Sequence, residues 1–114
     1  MKRKIIPGEI STKDLHQYII GSVSPRPIAF VSTLDENGIE NLAPYSFFNA
    51  FSSNPPIVVF SSNRRVSDNT TKDTLHNVRV SRECVVNVVP YGIVRQMSLS
   101  SVEFPSSVSE FIKV

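Results

Sequence analysis

The residues best suited to chemistry in this 114-residue chain are cations, hydroxyls and amides rather than paired carboxylates. They gather in "FSSNRRVSDNTTKDTLHNV", residues 60 to 78, where an apolar run ending at Phe60 gives way to a polar stretch before a helical pattern resumes. Lys72, Asp73 and Thr74 open that pattern. A helix start offers unpaired backbone N–H groups and partial positive charge, to which lysine adds a full charge and threonine a hydroxyl donor. Such a cluster suits the retention of an anion, phosphate above all. The plain alternative is a solvated loop followed by a capped helix. Asp73 suits the organisation of the helix start better than contact with a phosphate, which its own charge would repel.

Similar groups stand at the ends of other apolar runs: Ser24 and Arg26 in "SPRPI", then Ser32 and Thr33, Ser46 and Asn49, and Ser61, Ser62, Asn63, Arg64 and Arg65. The familiar catalytic constellations are missing. His16 and His76 lie far apart without ligand-type partners at metal spacing, and read as surface helix residues rather than zinc ligands. With four glycines there is no nucleophile elbow, phosphate-binding P-loop or GxGxxG pattern. The single Cys84 cannot form an internal disulfide, and its setting in "CVVNVV" reads as a buried small apolar residue.

The elements that must position these groups follow from pattern. "STKDLHQYII" places Ser11 as a helix cap three residues before Asp14, with Leu15, Tyr18 and Ile19 at helical spacing and Gly21 as terminator. Two apolar runs, 28 to 34 and 39 to 48, are joined by "DENG", which predicts a hairpin because Asn37 and Gly38 tolerate positive φ. "PPIVVFSS" predicts a well-buried third strand, rich in β-branched residues. A short helix is expected over 73 to 82, a buried strand over "CVVNVVP" and a further helix over "GIVRQMSLSS". Antiparallel neighbours with one helical crossover favour a β-barrel or compact α+β sheet over a doubly wound parallel fold.

Composition narrows the function classes. With 40% apolar and 19% charged residues, the chain reads as one domain, 1 to 114, with a modest core. A net charge of +2, scattered apart from Lys2, Arg3, Lys4, Arg64 and Arg65, gives a poor footprint for nucleic acid. No apolar run approaches the ~20 residues of a membrane span, so a cytoplasmic location is expected. Four strands would make a cramped barrel, and "SEFIKV" stops within an amphipathic pattern. The sequence is therefore expected to be truncated at its C-terminus.

"SPRPIAFVSTLDENGIENLAPYSFFNAFSSNPPIVVFSS", followed by "KDTLHNVRVSRECVVNVV", resembles the flavin reductase-like family of FMN-binding split barrels. The PRP, N-x-A-P-x-S-F, P-P and K-D-T elements occur in that family in this succession. The resemblance implies an antiparallel split β-barrel with Greek-key connections, mainly β with short helices, non-covalent FMN, and a homodimer. It implies electron transfer from a reduced nicotinamide to flavin or a downstream acceptor, such as a monooxygenase. Lys72 and Thr74, with Arg26 as a further cation, would form a phosphate clamp. Ser32, Thr33, Asn41, Ser46 and Phe47 would approach the ring and ribityl chain, and Ser61, Ser62 and Asn63 would line the same pocket. The intervening "RRVSDNTT" would guide a ligand rather than grip it.

Flavin carries the hydride chemistry in such a protein, so no acid/base pair needs to announce itself. The aromatics of "YSFF" and Phe51 read as barrel core or as a wall against the isoalloxazine, with Phe47 the foremost candidate for the wall. A non-enzymatic flavin-binding electron carrier, or a half-barrel that serves as an interaction module, remains the alternative.

Overall fold

The structure is a computed structural model that describes residues 1–65 and 70–113. In chain order the elements are α1 (Thr12–Ser22), β1 (Ala29–Leu34), β2 (Glu40–Tyr45), β3 (Phe48–Ser53), β4 (Pro56–Phe60), α2 (Asp73–Ser81), β5 (Val85–Asn87), α3 (Val94–Leu99) and α4 (Glu110–Lys113). Single 3-10 turns at Pro7–Glu9 and Tyr91–Ile93 precede α1 and α3.

Local rules account for the first elements. The Ser11 hydroxyl accepts the Asp14 N–H at 3.1 Å and starts α1 as its cap. Arg26 Nη1 donates to the carbonyls of Ile20 and Val23 at 2.7 and 2.6 Å, satisfying oxygens that the end of α1 leaves unpaired. β1 and β2 form the expected antiparallel hairpin, with Ala29 opposite Tyr45 and Leu34 opposite Glu40. In its turn Gly38 adopts a φ of 79°, and Asp35 Oδ1 accepts the N–H groups of Asn37 and Ile39, each at 2.8 Å.

The 39–48 run is two strands rather than one. It breaks at Ser46 and Phe47, so β2 pairs with β1 while β3 leaves to pair with β4. The corner is held from both sides: Arg26 Nε donates to Ser46 Oγ at 3.3 Å, and the Ser61 N–H donates to the Phe47 carbonyl at 2.8 Å. The result is an antiparallel sheet of order β2-β1-β5 beside a β3-β4 ribbon, an open split-barrel arrangement with short helices. Its core is Ala29, Val31 and Tyr45, with Ala43, Phe48, Phe60 and Val86 packed around them. The Tyr45 and Phe60 rings, 5.1 Å apart, join sheet to ribbon.

Other expectations change. β4 is not well buried: Ile57, Val58 and Val59 are 42%, 54% and 41% exposed, because a β-branched strand is covered only where a second layer faces it. Phe51, a core candidate, is exposed at the bulge between Ala50 and Ser52. "CVVNVVP" contracts to the short β5, an edge strand paired with β1 alone, with Val85 and Val88 exposed. Cys84, expected to be buried, is exposed just ahead of β5. The helix expected over 92 to 101 is a 3-10 turn followed by α3. Of "RRVSDNTT", residues 66–69 lie outside the described residues.

Candidate functional site

The start of α2 is seated on the sheet by buried amide–hydroxyl pairs. Asn41 Nδ2 on β2 donates to Thr74 Oγ1 at 2.8 Å, and Asn77 Nδ2 donates to Thr33 Oγ1 on β1 at 3.0 Å. All four residues are buried, and each pair satisfies groups that would be costly to bury alone. The helix start itself has no side-chain cap. The Lys72 carbonyl receives the N–H groups of Leu75 and His76 at 3.1 and 3.3 Å, so the amides of Asp73 and Thr74 are the ones offered to a ligand.

Lys72 is half-buried, its Nζ 5.0 Å from the centre of the Tyr45 ring. Burial holds its pKa below the ordinary lysine value, the Arg65 charge adds to that, and Glu103 opposes both. Tyr45 is 3% exposed. Burial pushes its phenol pKa up, while the nearby Thr74 and Ser62 hydroxyls pull it down. Yet among the described residues neither Tyr45 Oη nor Ser62 Oγ has a partner in hydrogen-bonding geometry, although both atoms are buried. Buried hydroxyls in that condition are groups awaiting a partner.

Beside them opens a cleft of about 770 Å³, within the size range of small-molecule sites. Ser46 and Phe47 of the β2–β3 corner line it, as do Ser61 and Asn63 beyond β4, and Arg65, Lys72 and Glu103. Thr12 and His16 of α1, with Pro44, Tyr45 and Arg64, complete this wall. The Phe47 ring has Arg26 Cζ 5.9 Å from its centre and the His16 ring 6.0 Å away. A hollow of about 110 Å³ adjoins the cleft, sharing Tyr45, Arg65, Lys72 and Glu103 and adding Asn41, Asp73 and Thr74.

The fold thus brings Ser46, Phe47, Ser61, Asn63 and Lys72 to one cleft. Asn41 and Thr74 stand in the adjoining hollow, bonded to each other. Ser62 lies close to Tyr45. Arg26 braces the corner rather than lining the cleft, its guanidinium spent on Ile20, Val23 and Ser46. Ser32 and Thr33 line a separate pocket of about 370 Å³, shared with Leu34, Cys84, Val85 and Phe111.

Sequence reasoning missed His16 and Glu103 as wall residues; it read Tyr45 as barrel core or ring wall among the "YSFF" aromatics, and Arg65 as a guide for ligand. His16 is half-buried against Phe47 rather than a surface residue. Arg65, expected only to guide a ligand, is a half-buried fastener. Its Nη1 donates to Thr70 Oγ1 at 3.1 Å and the Thr71 carbonyl at 2.9 Å, Nη2 stands 3.8 Å from Asp73 Oδ2, and Nε stands 3.6 Å from Glu103 Oε1. Tyr45 sits inside the N-x-A-P-x-S-F element, which is a signal for it. Glu103 carries no comparable signal. Among the described residues no group of His, Cys, Asp or Glu could hold a metal ion, and no helix is long and apolar enough to cross a membrane.

Antiparallel sheets, short helices and a cleft walled by cations, hydroxyls and aromatic rings define a split-barrel α+β protein. A family model, the flavin reductase like domain, matches residues 21–114, and the chain belongs to that family. An uncharacterized protein of Aquifex aeolicus is 44% identical over 110 residues, covering 96% of this chain and 56% of the relative. Among solved structures, nitrilotriacetate monooxygenase component B from Bacillus cereus superposes with a TM-score of 0.90 at 33% identity, over 99% of this chain and 55% of that one. The 2-nitrobenzoate 2-nitroreductase of Pseudomonas fluorescens gives a TM-score of 0.82 at 34% identity, over 97% of this chain and 51% of that one. The chain spans about half the length of the curated relatives it matches.

Proposed function

We propose that the chain is the FMN-binding part of an oxidoreductase of the flavin reductase type, taking electrons from a reduced nicotinamide. The observation that carries the reading is Lys72 at the uncapped start of α2, beside the 770 Å³ cleft. The residues present fit a flavin mononucleotide. Lys72 and the amides of Asp73 and Thr74 suit a terminal phosphate dianion. The unpartnered hydroxyls of Tyr45 and Ser62 lie beside them. Ser46, Ser61 and Asn63 suit the polyol, and Phe47 is a flat wall for the ring. Arg26 would act through Ser46 and Phe47, and Asn41 through Thr74. Ser32 and Thr33 are assigned to the ring side of the same cofactor by the family motif alone.

Bound flavin would supply the hydride chemistry, and the chain's own residues would bind it, orient it and shield it. A single terminal phosphate matches a single lysine at one helix start, which favours FMN over FAD. A cytoplasmic location and an acceptor such as a monooxygenase belong to the same proposal. The test is a visible absorption spectrum of the protein with and without added FMN, followed by oxidation of reduced nicotinamide. A colourless protein that gains no flavin absorption and oxidises no nicotinamide overturns the reading.

One observation favours a second reading. Phe51, Val58 and Val59 expose apolar surface on the β3-β4 ribbon, as suits an association module, a homodimer above all. Such a module would bind flavin without turnover, and steady nicotinamide oxidation with added FMN removes it.

A further inference from the structure

Among the described residues Glu103 is the acidic residue lining a cleft whose other walls are cations, neutral polar groups, Pro44 and the rings of Tyr45 and Phe47. It lies on the strap between α3 and α4, which starts at a buried residue and is tied to β2 at its far end. Ser100 is buried, with its hydroxyl donating to the Met97 carbonyl at 2.7 Å, and Glu110 is buried, with Oε2 accepting the Leu42 N–H at 3.0 Å. Between these anchors the Glu103 side chain is 62% exposed, and its Oε1 stands 3.6 Å from Arg65 Nε. The same carboxylate opposes the lowering of the Lys72 pKa, so it acts on two of the wall's cations, Arg65 and Lys72. Glu103 also lines both the cleft and the adjoining hollow, which meet at Arg65 and Lys72.

We propose that Glu103 is a selectivity residue, an internal anion that competes with a ligand's phosphate for the positive field of Arg65 and Lys72. This rests on the FMN reading and deepens it. A carboxylate held near two cations lowers the gain that any added anion obtains from them, and it leaves an uncharged ligand unaffected. Glu103 therefore narrows the preference of the cleft for phosphate-bearing over phosphate-free flavin. Because the Glu103 carboxylate is 62% exposed, its effect is modest and screened by salt.

The test compares the full chain with its Glu103→Gln variant in titrations with FMN, riboflavin and inorganic phosphate at low ionic strength, with circular dichroism to establish equal folding. The expected result is FMN and phosphate binding about two- to fivefold tighter in the variant, riboflavin binding unchanged, and a gain that fades at about 0.5 M salt. Equal FMN affinity in the two proteins overturns the inference and leaves the FMN reading standing. Tighter riboflavin binding to the same degree also overturns it, since the gain would then be steric. Tighter phosphate binding by the variant with no FMN binding by either protein supports the competition and overturns the FMN reading. No binding of either anion by either protein overturns both.

Discussion

Asn41 Nδ2 donates a 2.8 Å hydrogen bond to Thr74 Oγ1 across 33 residues of sequence, with both side chains buried. That bond sets the start of α2 against β2, so Thr74 has a structural duty whatever it does for a ligand. Thr74→Val keeps the volume but leaves the Asn41 amide without its acceptor, and should destabilise the protein by about 1–3 kcal/mol. Thr74→Ser retains the hydroxyl and should lose less. Urea unfolding checks both. Equal midpoints for wild type and the Val variant would show that the bond contributes nothing.

Lys72 separates phosphate recognition from folding more cleanly. Its ammonium is half-buried and faces the cleft, with no carboxylate within ion-pair distance among the salt bridges of the described residues. Lys72→Ala should weaken FMN by about tenfold to a hundredfold, the loss of a charge-assisted hydrogen bond worth about 1.5–3 kcal/mol, and change riboflavin little. Fluorescence titration of the two flavins is the check. Parallel losses for both would mean damage to the cleft rather than loss of a phosphate contact.

Much of the frame was legible in sequence because it follows short-range rules. Ser11 with Asp14 sets the start of α1, and Asp35 with Gly38 closes the β1–β2 turn; each works over no more than a few residues. What stayed hidden depends on distant partners. The exposure of Val58 and Val59 is decided by whether a layer faces them, and a β-branched run reads alike in either case. The break at Ser46 and Phe47 is held by Arg26 and by the Ser61 N–H, distant partners that leave no local signature. The cleft followed the same division: Lys72 and Thr74 announced themselves at a helix start, whereas Arg65 and Glu103 meet only in the folded chain.

The depressed pKa of Lys72 gives ligand binding a pH dependence. Burial and the Arg65 charge bring it below the ordinary lysine value of 10.5, and a bound phosphate would favour the charged form. FMN affinity should hold through neutral pH and decline on the alkaline side earlier than an unperturbed lysine would allow. Lys72→Arg should stay flat over that range, because a guanidinium remains charged. For folding the sign is opposite. The unfolded chain keeps the lysine proton to higher pH than the folded chain, so Lys72's contribution increasingly favours the fold as pH rises from its folded pKa toward 10.5. A wild-type binding curve as flat as that of the Arg variant would contradict the assignment.

Glu110 closes the outer edge of β2. Its buried Oε2 accepts the Leu42 N–H, which the strand order β2-β1-β5 leaves on an open edge. Glu110→Ala should orphan that N–H and destabilise the protein by about 1–3 kcal/mol, whereas Glu110→Gln retains an acceptor and should lose less. Amide exchange at Leu42 supplies a local reading. Faster exchange in the Ala variant, beyond what the global loss of stability explains, is expected; unchanged exchange would remove the carboxylate from this role.

The β3-β4 ribbon carries a further consequence. Phe51 is 69% exposed, and Val58 and Val59 are 54% and 41% exposed, on a two-stranded element with no third strand to share its edges among the described residues. Val58 and Val59, successive on β4, face opposite sides of the ribbon, and exposed apolar side chains beside unpaired backbone groups favour association through the ribbon. The chain should therefore show a concentration-dependent increase in mass by sedimentation. Val58→Lys should shift it toward the monomer, because the substitution places a charge where a second layer would have to be dry. Lys13→Glu, at an exposed position of α1 outside the ribbon's strands, serves as the control and should leave the mass distribution unchanged. A monomer at all concentrations, or equal shifts from both substitutions, would mean that association does not run through this surface.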